Sequence, residues 1–479
     1  MINLKYDKEI KEWIEENKER IIEEWMDISK IPAIKGEASP DAPYGADCAK
    51  ALNACAELFS RHGFRNEIYN KQGYALADYG EGEKTIGLFG HSDVVPVGDD
   101  WIYTKPFEPI IIDGTMIGRG VEDNKSGIMA SLCVMEILRD KNIPVKSKIQ
   151  AFIGSEEESG MSDIEAFSKE QKMPEASLIL DADFPCSIGE KGIYHFKARS
   201  NKKCEDIVDL KGGEAFNIVL DKVCVTIKKT AEIEKELAAK IEGNSSFTMK
   251  IEDGYIRLWA KGVAKHASEP EGSLNAAHSA AKVLCECKSL SENDRNLMQN
   301  IKKILDCPFG TSMGIAHNDI RFGRLTFVNG MISLKDGQVE LSFDTRYGST
   351  LESDVLEEKA KRSFESLGWK VIPVSNIEGF SIDDDSPIPP VLVDIYNRLT
   401  GFDKKAIRLG GGTYARHLKN AFSVGTVTMR ADREKPFMEM PEGHGGPHQC
   451  DEKIDIEGFF DAVRIISHYV INIDECLNG

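Results

Sequence analysis

Between residues 85 and 181 short apolar runs alternate with a helical pattern, and this alternation narrows the fold more than any other feature of the chain. TIGLFG (85–90), IQAFIG (149–154) and SLILD (177–181) have the length of buried strands, and an amphipathic pattern around Ile128–Leu138 separates the first two. Strand, helix, strand at this spacing predicts an α/β layer with a largely parallel sheet, in which function collects where strands end and loops begin. Two amphipathic helices precede it. Residues 8–29 carry Ile10, Trp13, Ile14, Ile21, Trp25 and Ile28 at helical spacing, and a segment from about Asp47 to Arg61 turns Cys48, Leu52, Cys55 and Phe59 inward before Gly63.

After Gly189 the texture changes. From about 190 to 380 β-rich stretches (IYHFKARS, KVCVTIKK, YIRLWAKGVA, VELSFDTRY) surround two helical segments, near Ser273–Glu286 and Glu352–Leu367, which predicts an α+β insertion. The turn SIDDDSPIPP (381–390) then leads back to an α/β-like tail ending in a helix over 455–472. A chain of 479 residues is long enough for at least two cores. The pattern divides it into one α/β domain in two pieces, 1–189 and 380–479, interrupted by a second domain over 190–379.

Sixty Lys and Arg stand against 79 Asp and Glu, a net charge of −19, so nucleic acid and anionic membrane are poor partners. No apolar run of about 18 residues occurs, and the charged start lacks an apolar signal core, so the chain reads as cytoplasmic. Its eleven Cys form no CxxC pair, which fits reduced thiols. Any bound metal would therefore take His and carboxylate ligands.

Five segments set such residues at the ends of the apolar runs. GHSDVVPVGDDW (90–101) places His91 after a strand and Asp93 two residues on, on the same face if the strand extends, although a turn with a capping Asp looks alike. DGTMIGRGVEDNKSG (113–127) approaches Asp123 and a helix, where an acid also serves as an N-cap. IGSEEESGMSD (153–163) sets three Glu at a strand end, and adjacent carboxylates repel, so the run needs solvent, cations or shared protons. SLILDADFP (177–185) runs directly into Asp181, and EGHGGPHQCDE (442–452) holds His444 and His448 in a Gly/Pro loop. Each segment has a structural explanation singly. Together, two His and a spread of carboxylates at successive strand ends make a ligand set for divalent ions with N/O coordination.

HSDVVP followed by Trp101, IGRG with DNK (117–125), EEESG, LDADFP, GGGTYAR and HGGPH resemble the zinc-dependent aminoacylase and carboxypeptidase-like family of dinuclear metallopeptidases, and within it the PepV-type dipeptidases. The spacings are similar too: 32 residues from His91 to Asp123, 34 from Asp123 to Glu157 and 23 from Glu158 to Asp181. The resemblance spans nearly the whole chain. It implies an α/β catalytic domain of zinc-exopeptidase type, a mixed sheet flanked by helices, made of 1–189 and 380–479, with an α+β lid domain over 190–379.

Carried over position by position, the resemblance implies that one ion takes His91 and Asp181, the other Glu158 and His448, and that Asp123 bridges them. A carboxylate's two oxygens can hold two cations about 3.5–4 Å apart, and metal binding can lower the pKa of water to about 7. Glu157 is then the general base that takes the water proton and returns it to the leaving amine, and Asp93 holds His91 in its ligating tautomer. Glu157/Glu158 is preferred to Glu156/Glu157 because EE-x-G fits the family pattern, and His448 to His444 because HQCDE keeps an acid four residues later. A cis peptide after Asp123 belongs to the same expectation.

In the insert, AKHASEPEGSLNAA (264–277) resembles the family's lid motif, with His266 for the oxyanion, and GGEAFN (212–217) puts Asn217 where a substrate-polarising amide is expected. Arg346 of DTRYG is either a clamp on a substrate carboxylate or part of a cross-strand salt bridge. GGGTYAR (410–416) lacks the GK[ST] ending of a P-loop and reads as a cradle for that carboxylate, with Thr413 and Arg416 beside it, or as a tight turn.

The resemblance implies a metal-dependent dipeptidase acting on small peptides with a free C-terminal carboxylate. An N-acyl-amino-acid deacylase or desuccinylase would use the same two-metal chemistry and is the alternative. Zinc suits the ligands, as do manganese and cobalt. The resemblance to PepV-type chains, whose enlarged lid supplies its histidine within one chain, implies a monomer.

Overall fold

In the computed structural model, which describes residues 2–433 and 437–479, the apolar side chains gather into two main cores. One belongs to a unit made of Met1–Gly189, Ile382–Ile407 and Thr413–Gly479, the other to Glu190–Ser381 with Arg408–Gly412. The short Gly-rich segment before Thr413 thus groups with the inserted unit rather than with the C-terminal piece. Among the described residues no helix is long and apolar enough to cross a membrane.

The first unit is built on a six-stranded sheet in the order Arg65–Tyr69, Tyr74–Tyr79, Lys148–Gly154, Thr85–His91, Ala176–Ile179, Ala421–Ser423. The first two pairings are antiparallel and the remaining three parallel. The sheet is therefore mixed, where the apolar runs alone predict a largely parallel one. The antiparallel part comes from a short hairpin whose turn uses Gly73 at φ +76°, a conformation that favours glycine. In the parallel part His91 lies beside Gly154 and Phe89 beside Ile179. Three strands consequently end along one edge, and Glu157, Glu158 and Asp181 follow directly from those ends.

Helix Lys125–Asp140 is buried from Lys125 to Leu138, because the strand Thr85–His91 and the helices Asp7–Ser29 and Ile456–Asn478 all pack against it. The first of those helices turns inward the residues its spacing predicts, and Trp25 meets Phe459 with ring centroids 4.4 Å apart.

The second unit is an eight-stranded sheet in the order Phe247–Glu252, Tyr255–Lys261, Lys222–Lys228, Ile207–Gly212, Thr326–Lys335, Gln338–Tyr347, Gly192–Lys203, Trp369–Ile377, antiparallel throughout. Alternate residues face its core: Val223, Val225 and Ile227 on one strand, Tyr194, Phe196 and Ala198 on another. The two expected helices are present as Ala276–Leu284 and Ser353–Glu365, and two more join them, Ala231–Ile241 and Glu292–Ile304. The last is strongly charged, yet Leu297, Met298, Ile301 and Ile304 form one buried stripe and Ser291 caps the Asp294 amide.

Candidate metal centre

His91 Nε2 lies 3.2 Å from Asp123 Oδ1 and 3.8 Å from Asp181 Oδ2, while His448 Nε2 lies 3.0 Å from both Asp123 Oδ2 and Glu158 Oε2. The two oxygens of Asp123 are thus addressed to different histidines. Two groups bring their ligand atoms within 4.8 Å of one another: His91, Glu157 and Asp181, and His91, Asp123 and Glu158. By distance alone Glu157 is a candidate ligand as well as a candidate base.

The donor set suits divalent cations. Among the described residues, His91 Nε2 and Glu158 Oε1 are buried without a hydrogen-bond partner, a costly state that a cation would relieve. Burial first, and then Asp181, push the Glu157 carboxyl well up; burial and Asp123 do the same to Asp181 and raise Glu158 to about 7. Burial would also raise Asp123, but the imidazoles of His448 and His91 facing its two oxygens outweigh that and hold it below the usual carboxylate range. Cations at this position would replace protons as the counter-charge of the cluster.

Backbone and buried carboxylates set the arrangement. His91 Nδ1 faces the Asp93 carbonyl oxygen at 3.1 Å and Asp93 Oδ1 at 3.4 Å, which leaves Nε2 for a ligand. The same Asp93 carboxylate accepts the amides of Glu157 and Glu158, each at 3.2 Å. Asn124, beyond the cis peptide Asp123–Asn124, donates to Asp181 Oδ1 at 2.9 Å and accepts the His91 amide at 3.2 Å. Glu452 accepts the Glu122 and Asp123 amides on one oxygen, and Arg119 with the Gly120 amide on the other, at 2.7–3.0 Å. Glu156, the remaining member of the three-Glu run, turns away to Lys35 and to the amide of Ser162. His444 donates instead to Asp451, whose carboxylate also accepts the Ile102 and Tyr103 amides.

The profile described as Peptidase family M20/M25/M40 matches residues 87–472. The chain belongs to this family. Over 471 residues, 95% of this chain and 97% of the relative, it is 28% identical to the Staphylococcus aureus (strain MW2) protein named "Putative dipeptidase MW1694". Two solved structures share the fold at a TM-score of 0.60. The di-peptidase Dug1p of Saccharomyces cerevisiae is 15% identical, with 98% of each chain covered; human carnosine dipeptidase 1 is 14% identical, with 98% of this chain and 99% of that one covered. M20 membership makes the protein a metallohydrolase that uses divalent ions, with a mixed α/β catalytic domain and a lid domain.

The remaining candidates of this M20 chain divide between the two units. In the first, Thr413 is buried, and its hydroxyl accepts the Ala415 amide and meets Ser423 Oγ at 2.9 Å, so little of it is left for a substrate. Arg416 lies half-buried in the short 3-10 turn Tyr414–His417. In the second, Asn217 and His266 sit on paired segments: the Ala267 amide donates to the Asn217 carbonyl at 2.8 Å, and Ile218 bridges His266. His266 is exposed, with Nδ1 2.7 Å from Ser268 Oγ. Arg346 turns its Nε and Nη2 edge onto Asp344 of its own strand, at 2.6 and 2.7 Å, and Nη1 donates to the Gly410 carbonyl at 3.3 Å. The bidentate edge is thus engaged within the strand, and Nη1 is the nitrogen that faces the Gly-rich segment. Asn124, Asp163 and Asp451 stand out by no motif of their own in the sequence. Their one signal is an acid or amide next to a stronger motif.

Proposed function

We propose that the protein is a metal-dependent dipeptidase that cleaves short peptides carrying a free C-terminal carboxylate. The observation that carries this reading is Asp123, one oxygen toward His91 and the other toward His448, beside three further carboxylates. His91 and Asp181 would hold one divalent ion, Glu158 and His448 the other, and Asp123 both. Zinc fits the imidazole and carboxylate donors, and manganese and cobalt fit them as well. Bound there, such ions supply Lewis acidity to a water and to the scissile carbonyl.

The chain's own residues do the rest. Glu157 takes the proton of the attacking water and returns it to the departing amine, a role served by a carboxyl whose pKa burial has raised. Asp93 keeps His91 in one tautomer. Asn217 and His266 are the groups for the substrate carbonyl and its developing charge, and Arg346 Nη1 and Arg416 those for the substrate carboxylate. The proposed enzyme works as a monomer.

The experiment is a panel of dipeptides and N-acyl amino acids assayed with and without chelator, on wild type and Glu157→Gln. Dipeptides should be cleaved, chelator should abolish turnover, and the variant should lose most of it while keeping its metal. Turnover that survives chelation or Glu157→Gln, or a preference for N-acyl substrates, overturns the proposal.

A further inference from the structure

Four consecutive amides, those of Ser155, Glu156, Glu157 and Glu158, are accepted in pairs by two buried aspartates. Asp93 takes the two downstream ones; Asp163 Oδ2 takes Ser155 N at 2.8 Å and Glu156 N at 3.0 Å. The same Oδ2 accepts the hydroxyl of Tyr414 at 2.6 Å, and Oδ1 accepts the Ile164 amide at 2.7 Å. Both partners are sealed from water, Asp163 at 0% and Tyr414 at 1% exposure.

The surroundings are shaped for this contact. Gly154 ends its strand where a Cβ would come 2.0 Å from the Tyr414 hydroxyl oxygen and 2.6 Å from Asp163 Oδ2, so the strand gives way to the pair. The Tyr414 ring stands edge-on to Phe152, centroids 5.4 Å apart, and edge-on to His91 at 6.3 Å. A side chain held by packing on two sides delivers its hydroxyl to one place.

We propose that Asp163, held by Tyr414, is a positioning residue for the Glu157–Glu158 pair: its carboxylate fixes the chain just before the pair as Asp93 fixes the pair itself. This rests on the reading of Glu157 as base and Glu158 as ligand. Residues 155–158 form no regular ladder, so these two carboxylates supply the acceptors that a neighbouring strand would otherwise give. Releasing one clamp lets the peptide planes before Glu157 rotate and moves its carboxyl away from the attacking water. Displacements of about 1 Å at such a group cost on the order of a hundredfold in rate.

The test compares Asp163→Asn and Tyr414→Phe with wild type in the metal-loaded protein. Asparagine keeps the volume but turns an NH2 either to Ile164 N–H or to the Ser155, Glu156 and Tyr414 donors, so one side loses its acceptor. We expect kcat on a cleaved dipeptide to fall about tenfold to a hundredfold, with KM and metal content per chain nearly unchanged. Tyr414→Phe deletes one donor and leaves the carboxylate, and should lose less kcat in the same direction. Hydrogen exchange of the peptide spanning 153–161 should speed up in both. Unchanged kcat and unchanged exchange overturn the proposal, as does a kcat loss matched by loss of metal. If Asp163→Asn does not fold, Tyr414→Phe decides by the same criteria. If wild type cleaves no dipeptide, the functional reading fails, and the exchange measurement still tests the clamp.

Discussion

His444 is hydrogen-bonded to Asp451, Nδ1 to Oδ2 at 2.7 Å, and this bond separates the two histidines of the late loop into different jobs. His448, four residues on, reaches Asp123 and Glu158 instead. His448→Ala should therefore lose one metal per chain, and its kcat/KM should fall by more than the roughly tenfold to hundredfold typical of residues behind a ligand. His444→Ala should keep both metals and lose mainly thermal stability. Metal analysis of the two purified variants separates them, and equal metal loss would contradict the assignment.

Removing metal should also cost stability. Without cations the cluster must accept protons or endure repulsion, so ions that bind only the folded chain stabilise it, by about 2.7 kcal/mol at a free concentration of a hundred times Kd. Thermal melts with chelator, and after adding back zinc, manganese or cobalt, should show the midpoint fall and recover. Metal uptake should release protons, because Glu157, Glu158 and Asp181 are raised. Calorimetry in buffers of different ionisation enthalpy measures that release, and none would mean the carboxyls are already ionised.

In the second unit Glu340 lies opposite Arg199 on the neighbouring strand, with Arg199 Nη2 at 2.6 Å and Lys335 Nζ at 3.0 Å. Burial pushes its carboxyl up, but hydrogen bonds from Arg199 and Lys335 outweigh that and bring it down to about 2. A lowered folded-state value adds stability above the ordinary value of about 4.3, and that stability is lost as pH falls toward about 2. Glu340→Gln should be less stable than wild type at neutral pH, and the gap should close through that acid window. Denaturant unfolding at several pH values checks it; a gap independent of pH would sink the account.

Trp25 is fully buried against Phe459 at the junction of the first and last helices. Trp25→Ala should cost about 3–5 kcal/mol, the range for emptying an aromatic site in a core. Denaturant titration reads the loss, and a cost below about 1 kcal/mol would mean the helices repack over the gap.

The parts of the centre that lie at strand ends are legible in the sequence, because an apolar run that stops at His91, before Glu156 or at Asp181 announces a buried strand meeting a charged loop. The hairpin Arg65–Tyr69 and Tyr74–Tyr79 is not, since its strands are short and partly polar and Tyr74–Tyr79 joins the sheet only through Lys148–Gly154, far along the chain. The helix Glu292–Ile304 hides its apolar stripe among charges. Asp163 and Glu452 are harder still: an acid accepting backbone amides looks, residue by residue, like any helix-start or loop acid, and only the folded register shows which amides it meets. Which Glu of three faces away is settled by Lys35 and Ser162, neither of which any local pattern links to Glu156.

Glu452 holds the amide of Asp123 across 329 positions of chain. On the ribosome His91, Asp123, Glu158 and Asp181 are all made while His448 and Glu452 are still untranslated. A nascent or prematurely ended chain therefore lacks both the second histidine and the brace on the shared aspartate. On the proposed ligand assignment, peptide cleavage therefore draws on segments made early and late in synthesis, and a chain cut between Asp181 and His448 should lack it.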